Sequence, residues 1–237
     1  MSKTVRRIGG VVLCSATVLS AWTVAGAASP PSLSTIQAAA AAAITLRVND
    51  LTAAVTTVNG AKDLGSDSAA LVSYLQADIA PLQALGQKIA GDTSVTTATS
   101  DAASIYTNFR VLALVLPAAH LAATVDGIDV TTLPHLTALA AKAESRVNSS
   151  NQAVLQPLIN ETNGQIAAAT TGTSGVASTV LGYLPAQLNA DHDLLAPAHG
   201  AVQAAVAAVA KARGDALQIR SVLASATSAA TTTSTTA

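Results

Sequence analysis

The chain has 237 residues, half of them hydrophobic, 2% aromatic and 11% charged, with a formal net charge of −1. So weak a charge, with no basic run, excludes the nucleic-acid-binding classes, which need clustered lysine and arginine to displace counterions. A single cysteine, Cys14, excludes a disulfide framework.

Lys3, Arg6 and Arg7 precede an apolar stretch from Ile8 to Val24, and Ala25-Gly26-Ala27 then supplies the small residues that a signal peptidase needs. Residues 1–27 are expected to be a signal peptide, cleaved after Ala27 or, next, after Ala28; an uncleaved N-terminal anchor is the alternative. Val5 stands where a twin-arginine signal wants Ser or Thr, and Leu13 before Cys14 is too large for a lipoprotein. Of 12 lysines and arginines three lie in this leader, leaving nine against 13 acids and a net charge near −4. The remainder has no cysteine, tryptophan or methionine, and its aromatics are Tyr74, Tyr106, Phe109 and Tyr183. No second stretch is expected to span a bilayer, since the run from Val111 to Leu116 is short and ends at Pro117.

After a linker at residues 28–34, helical stripes follow one another. Ile44, Val48, Leu51, Val55 and Val58 form the first, ended by Asn59-Gly60. Val72, Leu75, Ile79, Leu82, Gly86 and Ile89 form the second, starting near Ser66-Asp67 and stopping at Gly91. Thr93 to Thr99 reads as a loop into a third stripe, Ile105, Phe109, Leu112, Leu116, Ala119 and Ala123, stopped by Asp126-Gly127. Pro81 and Pro117 fall inside the second and third stripes, where bends are expected. A more broken fourth region runs from Leu133 to about Ala169, Gly172 and Gly175 mark a loop, and a short helical piece starts at Pro185.

The clearest pattern is the last. Leu195, Ala198, Val202, Ala205, Val209, Ala212, Ala216, Ile219 and Leu223 alternate steps of three and four residues, the spacing of knobs-into-holes packing. So many small residues require close approach of a partner helix, while Gln203, Lys211, Arg213, Asp215 and Arg220 are expected to face water. From Ser225 to Ala237 the chain is almost wholly Ser, Thr and Ala and is expected to be a disordered tail. The fold class is therefore all-α: an elongated antiparallel bundle of roughly four or five main helices over residues 35–224.

Candidate chemistry is sparse. Asp191-His192-Asp193 and His199 make the one local cluster of metal-ligand types; joined by His120 or His135 it could hold a metal, though His192 and His199 are spaced two turns apart, unlike the i, i+4 pair of a helical zinc site. Asp191 or Asp193 serves equally as an N-cap for the last helix. Arg110, between Phe109 and Val111, either forms a buried ion pair with Asp50, Asp78 or Asp101, or lays its stem along the stripe with its head in water. The aromatics read as packing or as the lining of a small apolar pocket. Asn148 and Asn160 match the glycosylation acceptor pattern. No catalytic residue is assigned and no cofactor is called for.

The run from Ile105 to Pro117 and that from Leu188 to Pro197 resemble segments of exported alanine-rich helical proteins of actinobacteria, a group without an assigned activity. The resemblance implies export and an all-helical fold and transfers no site residue. The expected function is that of a non-enzymatic protein, secreted or held at the cell surface, binding another envelope protein or itself; the alternative is a carrier of a metal ion or small apolar ligand between helices.

Overall fold

The computed structural model describes residues 30–62, 64–65 and 67–233, with side chains described to residue 225. The expected signal peptide lies outside the described residues, and so do the last four residues of the tail. Among the described residues every regular element is helical, and the fold is an all-α bundle.

Helix α1 (Leu33–Gly60) begins two residues before the expected boundary, because Ser32 takes extended backbone and its Oγ accepts from the Thr35 amide at 3.2 Å. It ends at Gly60, as the Asn-Gly pair predicts. α2 (Ser68–Gln76) and α3 (Ile79–Gly91) run back along it. Gly86 lies against Ile44, and the Gln37 side-chain amide reaches the carbonyls of Ile89, Ala90 and Asp92 at 3.1, 3.2 and 3.1 Å, tying α1 to the C-terminal end of α3. The expected bend at Pro81 is instead a break at Ala77-Asp78. Starting α3 at Ile79 puts the proline in the first turn, where its missing amide has no bond to lose. Pro185 and Pro197 use the same device at the starts of other helices, Pro117 and Pro134 fall where a π turn passes into α-helix, and Pro157 sits inside a helix.

The segment read as a loop at Thr93–Thr99 is the start of α4 (Val95–Ser104), capped by Ser94 Oγ on the Thr97 amide at 3.1 Å. Two π-helical turns follow, Ile105–Phe109 and Val111–Val115, hinged on Arg110 in the left-handed conformation (φ 49°, ψ 31°). Then come α5 (Leu116–Asp126), a third π segment (Gly127–Thr132) and α6 (Leu133–Glu144). Asp126-Gly127 is therefore no stop: Gly127 keeps helical backbone, and the Asp126 carboxylate instead accepts the Gly65 amide at 2.6 Å, pinning the connection between α1 and α2. Because the path stays helical past Pro117, Val95–Glu144 as well as Leu33–Gly60 is long and apolar enough to cross a membrane by length and composition, contrary to the expectation above. More than half of the apolar window in the second stretch is buried against neighbouring helices.

α7 (Gln152–Thr173), the short α8 (Val176–Leu181) and α9 (Pro185–Ala190), and the long α10 (Ala196–Thr233) complete the unit Ser32–Ala237. The turn into α8 needs a positive φ, which Gly175 supplies at 71°. α10 carries on helically to Thr233, into the Ser/Thr/Ala segment. Elsewhere in the bundle many helical threonines donate their hydroxyls to the carbonyl four residues back; Thr162, fully buried in α7, does so to Leu158 at 2.8 Å.

One core joins α1–α5 with α8 and the start of α10, around Leu51, Leu71, Leu75, Leu82 and Ile89. Burying each such side chain contributes about 1.5–3 kcal/mol. A second and third lie between α6, α7 and α10, with Ala205, Val209, Ala212 and Ala216, then Leu155, Ile159 and Ile219. Gly172 meets Ala201 and Ala205, whereas Leu155 and Ile159 cluster with Ile219, so α7 and α10 are antiparallel. A Cβ on Gly172 would stand 3.1 Å from the Ala201 carbonyl oxygen and 3.2 Å from the Ala205 Cβ. The close approach required by the small-residue stripe occurs here.

Candidate functional site

The proposed metal ligands do not meet. His120 is exposed on α5, His199 is exposed in the first turn of α10, and His192 sits in the turn before it. Among the described residues no three His, Cys, Asp or Glu side chains gather into a possible metal site. Asp191 Oδ1 accepts from the Asp193 amide at 2.9 Å, and Asp193 O accepts from the Ala196 amide at 2.8 Å. Asp191 thus shapes the turn between α9 and α10 rather than N-capping α10 itself.

Arg110 is half-buried, and its partner is Asn189 of α9, not Asp78. Nε donates to Asn189 Oδ1 at 2.6 Å, while Asn189 Nδ2 donates to the Thr107 carbonyl at 3.0 Å. The physical cause is the left-handed residue. It breaks the hydrogen-bond ladder between the two π turns, and Asn189 answers both the stranded carbonyl and the arginine that strands it. Arg110 O in turn accepts from the amides of Ala113 and Leu114 at 3.1 and 2.7 Å. A bulky residue with positive φ costs about 1–2 kcal/mol, and such strain and π turns recur at functional positions.

The buried arginine is another one. Arg47 is 7% exposed on α1, three residues after Ile44 and four before Leu51, so it lies on the inward stripe. Its Nη1 donates to the Ala43 carbonyl at 2.9 Å, and its guanidinium lies 4.6 Å from the ring centre of Tyr106, itself 48% exposed. This cation–π lid covers the charge with an aromatic face. Asp78 forms an ion pair with neither arginine; burial raises its pKa, and burial together with the Asp78 charge pushes the Tyr74 phenol up to about 12. The sole ion pair among the described residues is Lys88–Asp101 at 2.9 Å, which holds the Lys88 pKa up.

Asp215 also departs from expectation. It is only 9% exposed, and its Oδ2 is buried without a hydrogen-bond partner. Gln203, Lys211, Arg213 and Arg220 face outward as expected. Arg213 and Arg220 edge a groove between α6 and α10 that also takes in His135.

The chain matches no protein-family model, no curated protein and no solved structure. The geometry gives a strained corner at Arg110, an arginine under an aromatic lid at Arg47, and a basic-edged apolar groove. The first two are internally satisfied and hold α1, α9 and the π turns together; the groove leaves its cations outward.

Proposed function

We propose that this is an exported, non-enzymatic helical-bundle protein of the cell envelope or extracellular space, related to the actinobacterial alanine-rich proteins it resembles, that acts by binding a partner helix or a second copy of itself. The observation that carries the reading is the outward face of α10. Gln203, Val206, Ala210, Gly214, Leu217 and Ser221 repeat the three-four spacing on the side away from α7, with Val206 and Leu217 47% and 65% exposed. One small-residue stripe of α10 interlocks with α7, and a second of similar character lies on its exposed side, with Leu217 at the border of the groove that α10 forms with α6. Export is supported by the order of basic, apolar and small residues in the leader, and a role without catalysis by the residue types present.

The test is sedimentation equilibrium of the chain from Ala28 onward, together with photo-crosslinking from position 217 in intact cells. Concentration-dependent association or a discrete crosslinked partner, each abolished by Val206→Glu with Leu217→Glu, is expected. A monomer at every concentration that gives no crosslink ends the proposal.

A further inference from the structure

The groove between α6 and α10 is open to solvent along one side and holds about 370 Å³, at the small end of the ~300–1,000 Å³ of small-molecule sites. Leu136 and Leu139 of α6 form its apolar wall, and Leu217 stands at its edge, the most exposed large hydrophobic side chain among the described residues. His135, Arg213 and Arg220 are the ionisable groups that line it, and no carboxylate does. Arg213 and Arg220 are seven residues apart, two turns or ~10.5 Å along one edge of the helix. Arg213 Nη2 donates to Thr132 Oγ1 at a long 3.4 Å, and neither arginine pairs with a carboxylate among the described residues.

The chain is net negative, yet here its cations gather beside exposed hydrocarbon. Water-exposed leucine next to guanidinium groups without anions is complementary to an apolar chain ending in a negative charge. An arginine fork binds a carboxylate through two parallel hydrogen bonds, and the chain would cover Leu217 and the wall of α6. We propose that this groove binds a single-chain anionic amphiphile, a long-chain carboxylate, with its head on the Arg213–Arg220 edge and its tail against Leu136, Leu139 and Leu217. The inference is independent of partner binding by α10, although both involve Leu217.

Calorimetric titration of the chain from Ala28 onward with decanoate and dodecanoate tests it, below the concentrations at which either forms micelles. Acetate supplies the head without the tail, and decanol the tail without the charge. Each further methylene buried is expected to tighten binding about fourfold. Arg213→Gln with Arg220→Gln should weaken decanoate about tenfold or more and leave decanol unchanged. Both arginines are exposed, and unchanged decanol binding reports that the groove is intact. Leu217→Ser should weaken both ligands. Decanoate binding unaffected by loss of the arginines, acetate binding as tightly as decanoate, or no binding of either carboxylate overturns the proposal. So does arginine-dependent binding to anionic lipid vesicles that decanoate does not compete away, which would assign the surface to a membrane. A monomer that gives no crosslink yet binds decanoate upholds the groove and ends the partner-binding reading; an associating or crosslinked chain that ignores decanoate does the reverse.

Discussion

Gly164 and Gly172 lie on the same helix, α7, and the structure predicts opposite outcomes for the same substitution. A Cβ at Gly164 would meet nothing within 4 Å, so Gly164→Ala removes only the entropic penalty of a helical glycine, a gain of about 1 kcal/mol. At Gly172 the added methyl would stand 3.1 Å from the Ala201 carbonyl oxygen and 3.2 Å from the Ala205 Cβ, the latter inside the ~3.5–4.0 Å of a relaxed carbon–carbon contact. That oxygen belongs to the backbone of α10 and moves only if the helix moves. Overpacking of this kind costs about 1–3 kcal/mol, more than the propensity gain in the last turn of α7, so Gly172→Ala is expected to destabilise by about 1 kcal/mol. The two variants should then differ by about 2 kcal/mol, or about 4–8 °C in Tm for a domain of this size. Chemical denaturation with matched slopes measures the gap, and Gly172→Val should widen it. If Gly172→Ala raises stability as much as Gly164→Ala, α7 and α10 do not touch there and the packing argument fails.

Arg110→Gly relieves the left-handed strain while Arg110→Ala keeps it, and both lose the Asn189 bond; denaturation midpoints should place the glycine variant about 1–2 kcal/mol above the alanine one, and the reverse order would refute a strained corner. Asp126→Ala strands the Gly65 amide and should cost about 1–3 kcal/mol, whereas Asp126→Asn keeps an acceptor. Burial, opposed by the Gly65 bond and reinforced by the charges of Asp67 and Asp129, raises the Asp126 pKa. The folded chain therefore holds that proton more tightly than the unfolded one, and stability should rise as pH falls through the region just above the ordinary carboxylate range. Asp126→Asn should flatten that slope; an unchanged slope would assign the dependence elsewhere. Tyr74 obeys the same sign at high pH: its contribution is whole below the ordinary tyrosine value and is lost as pH rises toward about 12. An ultraviolet titration difference between the native chain and Tyr74→Phe should centre near 12, and a midpoint near 10 would contradict it.

The stripes of α1 and α10 were legible because one period holds over many turns, and the small residues on α10 announced a close neighbour. Their width was not legible. Asp215 sits one position from Ala216, on a flank that a broad apolar face also covers, while Arg47, three residues after Ile44 and four before Leu51, takes the buried place that an apolar count gives to half-buried Val48. Residues 105–132 misled for another reason. The π turns and the left-handed Arg110 reset the phase, turning Val111, Leu114 and Val115 inward and Leu112 outward, and no local signal marks where that happens. The candidate sites were hardest to foresee because each joins distant segments. Arg110 finds Asn189 across 79 residues, and Arg213 reaches Thr132 across 81. The histidines and Asp191, near enough in type to suggest a metal, fall on α5, on a turn and on α10 facing apart.

That α7 and α10 interlock through their smallest residues, leaving the other face of α10 for partners, is tested most directly by paired cysteines in the chain from Ala28 onward, which has none of its own. Gly172→Cys with Ala205→Cys should close a disulfide on mild oxidation, because a Cβ at 172 lies 3.2 Å from that of Ala205, close to the ~3.5–4.5 Å such a bond spans. Gly172→Cys with Ile219→Cys should stay reduced. A bridge in the second pair, or none in the first, would contradict the account.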